Sequence, residues 1–381
     1  MGPGGPVTIA GFHGAVLGLG EAARGAVSAL TKAGAPPRAW DVSERLGHPR
    51  RLDYGDEAPP AAGPGVLIAH MNPPELIQLI NTAGRAPFEG KHVIGYWAWE
   101  LPDIPALWKP AFRYVDEIWA PSTFTAEAIR RSAPRRLAVK VVPHPVPESH
   151  VASDRARFGF PPDRVIILCA FDFRSTFARK NPLAALEAFR QAAIRARHPA
   201  TLVFKTVGGV EIPEALDALV AAIGDAPDVI LLTETMSADD RDRLLASCDI
   251  LLSLHRAEGF GLLLAEAMAA GKAVVATGWS GNMDFMDENS AILVSYVLTP
   301  AQDIQGIYHR GMWAEADVEA AGRALAELID DRDRREAIGD KARAMVRRHL
   351  APLVVASLMR DALEGEAPSS TPRGRPEGTC P

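Results

Sequence analysis

The sequence predicts an α/β protein made of two doubly wound, Rossmann-like domains that face each other across a cleft. Three observations carry this. The chain has 381 residues, 48% of them hydrophobic, too long for one core and ample for two. Strand-length apolar runs alternate with helix-forming runs along both halves, the pattern of parallel sheets with crossover helices. In each half the first strand hands over to a helix through a turn rich in glycine or in cations, where such folds keep their ligands.

In the first half, Val7-Thr-Ile-Ala-Gly11 is a strand, followed by a turn containing Gly18 and Gly20, a helix to about Ala33 and a stop at Gly34. Gly18-x-Gly20 is half of a dinucleotide fingerprint, with Ala23 in the third place and Asp41 about where an acid would hold a ribose. A nicotinamide-binding domain is therefore a rival reading, although no dehydrogenase-type substrate domain follows. Residues 47–65 read as a surface loop. Val66 to His70 is a buried strand ending in His70-Met-Asn72-Pro-Pro, before a helix from Glu75 to about Thr82. His70 and Asn72 lie at the ligand end of that strand, and a structural histidine is an equal alternative. Val93 to Tyr96 is the next strand. Trp97, Trp99 and Glu100 beside two prolines read as a cleft rim, the alternative being a loop packed on its own domain. Val115 to Ser122 is a strand, Ser122 opens a helix to Ser132 as part of a capping box, and Val139 begins the last strand. The Pro-rich run near 145–155 separates domains at 1–150 and 151–345.

The second half repeats the plan. Arg164 to Phe171 is a strand, and Asp172-Phe-Arg174-Ser-Thr-Phe-Ala-Arg179-Lys180-Asn181-Pro182 is a basic loop into a helix from Leu183, Pro182 suiting its first turn. Arg174, Arg179 and Lys180 are expected to converge there, a solvated basic loop being the alternative. Strands at Ala200 to Thr206 and Val229 to Glu234 follow, each trailed by a helix; Lys205 is a further candidate for phosphate. Ala291 to Tyr296 reads as the last strand, and Met312 to Asp317 as the cap of a long helix from Val318 to Asp330. Two more helices end near Leu363, and 364–381 reads as a disordered tail.

The chemistry is densest between Ser253 and Asp284. Cys248 to Ser253 is a strand, Gly259-Phe260-Gly261 a turn, Leu262 to Ala270 a helix stopped at Gly271, and Ala273 to Thr277 another strand. A Gly-Phe-Gly turn at a helix mouth leaves amides uncovered where the helix dipole favours an anion, which makes a phosphate seat. Glu258 precedes the turn and Glu266 lies about one helical turn inside. Carboxylates suit sugar hydroxyls, so this arrangement describes a nucleotide-sugar site, with one acid for a hexose and one for a ribose.

Glu258 and Glu266, separated by seven residues in a stretch that opens with Glu-Gly-Phe-Gly-Leu and is followed by Gly-Lys-Ala-Val-Val-Ala-Thr, resemble the paired-glutamate signature of retaining glycosyltransferases of the GT-B fold, family 4. The resemblance covers about residues 7 to 360 and implies that the last helix, 346–363, returns to the first domain. It implies transfer of a hexose from a nucleoside diphosphate sugar, UDP- or GDP-linked, to a hydroxyl of a glycan, lipid-linked or small-molecule acceptor in surface polysaccharide or glycoconjugate synthesis. It assigns Lys180 and Arg174 to the leaving diphosphate, though Phe171-Asp-Phe-Arg174 replaces the family's usual glycine before that arginine. Glu258 would hold the donor sugar, Glu266 the ribose, and Arg179, Gly259, Phe260, Gly261 and Leu262 would complete the donor side. His70, Asn72, Trp99 and Glu100 would face the acceptor side, and the loop of Gly18 and Gly20 the cleft, for the acceptor or for the donor phosphate. No Asp-x-Asp metal motif appears, so the expectation is a metal-independent enzyme without cofactor. A sugar-nucleotide epimerase or hydrolase of the same fold, or a silent scaffold in glycan assembly, remains the alternative.

A net charge of −6 and a pI near 6.0 give no basic excess for nucleic acid. Cys169, Cys248 and Cys380 are too scattered for a disulfide framework. No run approaches the roughly 18 to 20 apolar residues of a membrane span, and Met1 to Pro6 does not read as a signal peptide. A cytoplasmic protein is expected, peripheral contact with the membrane's inner face staying open.

Overall fold

The computed structural model describes residues 5–308 and 310–364. Six strands, β1 (Val7–Gly11), β2 (Arg38–Asp41), β3 (Gly65–His70), β4 (Lys91–Tyr96), β5 (Glu117–Ala120) and β6 (Ala138–Val141), form a first sheet in the order β2-β1-β3-β4-β5-β6. Every pairing is parallel. Helices α1 (Gly18–Lys32), α2 (Pro73–Ala83) and α3 (Thr123–Arg130) make the crossovers. The residues of β3 are buried throughout, as an unbroken apolar run between two helical layers must be.

The second sheet comprises β7 (Val165–Asp172), β8 (Ala200–Val207), β9 (Val229–Leu232), β10 (Ile250–Ser253), β11 (Ala273–Thr277) and β12 (Ile292–Val294), ordered β12-β11-β10-β7-β8-β9 and again parallel. Its helices are α4 (Phe177–Lys180), α5 (Pro182–Arg195), α6 (Pro213–Ile223), α7 (Ala238–Ser247) and α8 (Leu262–Ala269). The strand order reverses between β7 and β10, which pair through Ile250 with Ile167 and Leu251 with Leu168. Loops leaving neighbouring strands on opposite sides of such a reversal diverge and open a crevice at their carboxyl ends. The basic loop after β7 and the Glu258 loop after β10 are those two loops.

One expectation is corrected. Residues Met312–Ala316 do not cap a helix; they form β14, antiparallel to β13 (Tyr296–Pro300), with Leu298 opposite Ala314. Met, Ala and Glu favour helix, but pairing with the β-branched Val297 and Thr299 and burial of Trp313 and Ala314 override that preference. Asp317 alone caps α9 (Val318–Asp330), accepting from the Ala320 amide. Tyr296, expected to end the last strand, starts this hairpin instead.

Helices α10 (Arg332–His349) and α11 (Pro352–Glu364) complete the described chain. Helix α11 lies on α1, and Val355, Ala356 and Met359 share a core with Ile9, Val27 and Leu30 of the first domain. Apart from Glu364, the expected disordered tail lies outside the described residues, as does Cys380. Among the described residues no helix is long and apolar enough to cross a membrane.

Candidate active site

Glu258 is the centre of the site, and its backbone is held first. Its amide donates to Ser280 Oγ at 2.7 Å and its carbonyl accepts from the Gly281 amide at 2.9 Å. This closeness needs glycine, because a Cβ on Gly281 would lie 2.2 Å from the Gly259 carbonyl oxygen. Gly261 has a φ of +93°, a left-handed conformation that lets the chain turn into α8.

Two cations hold the side chain. Lys180 Nζ lies 2.5 Å and an Arg179 terminal nitrogen 3.2 Å from the same Glu258 oxygen. Both come from α4, a single turn ended by the left-handed Asn181 and followed at once by Pro182 of α5. Burial pushes the Glu258 carboxyl up, but Lys180, Arg179 and His255 outweigh it and hold the group down to about 2. Arg179 is itself 3% exposed; it also donates to the Ala257 carbonyl at 2.7 Å and the Ser175 carbonyl at 3.2 Å. Burial pulls its guanidinium down, and Tyr308, Glu258 and Glu100 more than offset this. A carboxylate and two cationic groups thus lie side by side, a combination that can accept hydroxyls and neutralise a phosphate.

The expected convergence of three cations is corrected to two. Arg174 turns away, because Asp172, two residues earlier, takes its Nε at 2.9 Å and a terminal nitrogen at 2.8 Å, with Glu211 at 3.8 Å beyond. The Arg174 side chain is 45% exposed. Lys205 is likewise turned inward, donating to the Thr206 carbonyl.

Around the anion seat, the Gly259 carbonyl accepts from Ser122 Oγ at 2.6 Å and Thr125 Oγ1 at 3.2 Å, both of the first domain. A Cβ on Gly259 would lie 3.1 Å from the Trp99 carbonyl oxygen, so the domains touch here backbone to backbone. The Phe260 ring is buried against His144 and Phe285, leaving only its backbone for a ligand. Leu262, the first residue of α8, is half-buried. Glu266, one turn further, is half-buried beside Glu21, Arg241 and Asp242; burial, then Glu21, push its carboxyl up to about 7 against the pull of Arg241. Glu21 reaches Arg241 across the domain junction at 3.4 Å.

The first domain departs from expectation in its aromatic run. Trp97 is fully buried and Trp99 is 7% exposed, so neither offers an open face. The loop folds back until the indoles pack on Trp108, at 6.2 Å and 5.0 Å between ring centroids, and Trp99 Nε1 donates to the Asp103 carbonyl. His70 is fully buried and stacked on Tyr96 at 4.1 Å, with neither ring nitrogen hydrogen-bonded. The Asn72 side-chain oxygen accepts from the Ala98 amide and so shapes the same loop. Gly18 has open space around it, whereas a Cβ on Gly20 would lie 2.4 Å from the Phe12 carbonyl oxygen, so Gly20 serves close packing of α1 on the β1 loop. Asp41 is spent on the Gly14 amide and on Ser43. Glu100 is half-buried and accepts from the Tyr308 hydroxyl at 2.8 Å.

Several members of the site were not legible in the sequence. Ser122 reads as a helix cap and is one, accepting from the Thr125 amide, yet its hydroxyl also reaches the second domain. Buried His255 meets Asn282 at 3.1 Å and braces the turn carrying Ser280. Asp284 accepts from the Thr123 amide across the junction. Tyr308 lies in a loop without periodicity, where no local signal marks it.

Two parallel six-stranded α/β sheets, with a carboxylate under two cations at the reversal point of the second, define a protein of the GT-B architecture. Solved structures share it: sucrose-phosphate synthase from Thermosynechococcus elongatus (TM-score 0.67, 14% identity, 94% of this chain and 98% of that one) and Anabaena HepE in complex with UDP and glucose (TM-score 0.64, 14% identity, 95% and 100%). Residues 152–345 match the family model of the glycosyl transferases group 1, and the chain belongs to that family. A sulfoquinovosyl transferase of Arabidopsis thaliana, SQD2, is 29% identical over 138 residues, 33% of this chain. The match spans 24% of that relative's length.

Proposed function

We propose that the protein is a retaining glycosyltransferase that moves a hexose from a nucleoside diphosphate sugar to a hydroxyl of a glycan, lipid-linked or small-molecule acceptor, in surface polysaccharide or glycoconjugate synthesis. The observation that carries this reading is the ionised Glu258 carboxylate under Lys180 and Arg179, beside the α8 amides. In the reaction the acceptor oxygen bonds to the anomeric carbon as the bond from that carbon to the diphosphate oxygen breaks. The electron pair leaves with the diphosphate, whose oxygen takes the acceptor proton on the same face, so configuration is retained. Lys180 and the amides at Phe260, Gly261 and Leu262 stabilise the departing charge. Arg174 joins them by exchanging Asp172 for phosphate. Glu258 holds the sugar hydroxyls, Glu266 the ribose, and Glu100 the acceptor. The charge of a metal ion is supplied by side chains, so no metal is required. That HepE was solved with UDP and glucose supports beginning with UDP-sugars.

The test is a thermal-shift panel of UDP, GDP, ADP and their sugar conjugates, with and without EDTA. One nucleotide series at 100 times its dissociation constant stabilises by roughly 2.7 kcal/mol, and EDTA leaves both that shift and turnover intact. Absence of any shift sinks the reading; release of free sugar without transfer to any acceptor redirects it to a hydrolase.

The Glu266 carboxyl, raised to about 7, gives the nucleotide affinity a pH dependence. Ribose hydroxyls donate to the carboxylate, so binding requires the deprotonated form and strengthens as pH rises through 7. Between pH 8 and pH 5.5 the dissociation constant should rise roughly thirtyfold, and Glu266→Gln should flatten the profile. Calorimetric titration across that range decides; an equal slope in the variant removes Glu266 from the ribose.

A further inference from the structure

The loop joining β13 to β14 is anchored on the segment that carries Arg179 and reaches the first domain. Gln305 donates to the Phe173 carbonyl at 3.1 Å and accepts from the Phe177 amide at 2.8 Å. The Asp303 carboxylate gathers the Gln305, Ile307 and Tyr308 amides at 2.8–3.1 Å. Gly311 rests beside Leu101.

So held, Tyr308 is 4% exposed and stands between the two domains. Its hydroxyl donates to Glu100 Oε2 at 2.8 Å, and its ring lies 5.3 Å from that of Trp99 and 5.9 Å from the Arg179 guanidinium carbon. Glu100 makes no other hydrogen bond or ion pair among the described residues. A carboxylate and a guanidinium facing each other in so enclosed a place would pair directly if nothing stood between them. Glu100 would then be spent on Arg179, and Arg179 drawn off Glu258. The phenol prevents both, giving one carboxylate oxygen a hydrogen bond while its ring covers the cation.

We propose that Tyr308 is a positioning residue for the acceptor: it insulates Glu100 from Arg179, fixes one Glu100 oxygen, and keeps the other for a hydroxyl of a carbohydrate-like acceptor. The proposal rests on the glycosyltransferase reading. It makes the β13–β14 hairpin, a C-terminal element, part of the acceptor site on the other domain.

The test uses the full chain with UDP-glucose and GDP-mannose as donors, and p-nitrophenyl glycosides and water as competing acceptors. Tyr308→Phe keeps the ring and loses the hydroxyl, so acceptor KM should rise and the ratio of transfer to hydrolysis should fall roughly tenfold. Donor KM and melting temperature should hold. Tyr308→Ala, which opens the way for Arg179 to take Glu100, should lower the ratio further. Adding Tyr308→Phe to Glu100→Gln should cost nothing more, since Tyr308 acts only through that carboxylate. An unchanged ratio in Tyr308→Phe, or losses that multiply in the double variant, overturns the proposal alone. A wild-type protein that turns over neither donor overturns it together with the functional reading.

Discussion

Glu258→Ala lowers the rate of sugar transfer by on the order of a thousandfold, the largest loss expected of any single change. Among the described residues, Glu258 is the carboxylate that contacts both Lys180 and Arg179 and so sets their positions. The loss appears in kcat as much as in KM, because displaced cations no longer meet the charge that develops on the leaving diphosphate. Stability falls too, since Arg179 is left buried beside an empty space. Glu258→Gln separates these effects, filling the volume without the charge. The pH behaviour follows from the sign of the shift. A carboxyl held at about 2 in the folded protein, against an ordinary value of 4.5, contributes stability that is fully present above pH 4.5. That contribution fades as pH falls from there toward 2. Acid unfolding of wild type and Glu258→Gln, compared by circular dichroism, checks it: the two curves should converge at low pH, and parallel curves would falsify the assignment.

Arg179→Met unfolds the second domain more readily than any other change of similar volume. The guanidinium is nearly inaccessible, and its donors go in three directions, to the Ala257 carbonyl, the Ser175 carbonyl and Glu258. Removing one partner of a buried ion pair costs about 3–5 kcal/mol, which for a domain of this size lowers the melting temperature by roughly 10 °C. Arg179→Lys does not rescue, because an ammonium on a flexible stem cannot reproduce a planar fork with three acceptors. Lys180→Met behaves differently. Lys180 is more exposed and makes a single close contact, so its loss reduces transfer with a smaller change in melting temperature. Scanning calorimetry beside a transfer assay separates them. If Arg179→Met melts like wild type, the arginine is a ligand-binding residue and not the support of Glu258.

The alternation of apolar strands and helix-forming runs was enough to read both sheets except β2, because a parallel strand buried on two faces must be an unbroken apolar run such as Val66 to His70 or Ala273 to Thr277, which Arg38 to Asp41 is not. The paired glutamates were legible for a similar reason: glycines at 259, 261 and 281 are demanded by close backbone approaches and one left-handed turn, and they frame Glu258 in the sequence as they do in space. Three things were decided only by the tertiary structure. Arg174 and Arg179 look alike in a basic loop; Asp172 captures the first, and burial against Ala257 commits the second to Glu258. The tryptophans at 97 and 99 look like a rim, but each finds another ring to cover it. Met312 to Ala316 has the composition of a helix and becomes a strand because Tyr296 to Pro300 offers it an edge. Local sequence determined the elements and the position of the acid, since these depend on backbone preference and periodicity over a few residues. Which charges meet, and that Tyr308 stands between two of them, depended on pairings between residues up to 220 positions apart, on which local periodicity carries no information.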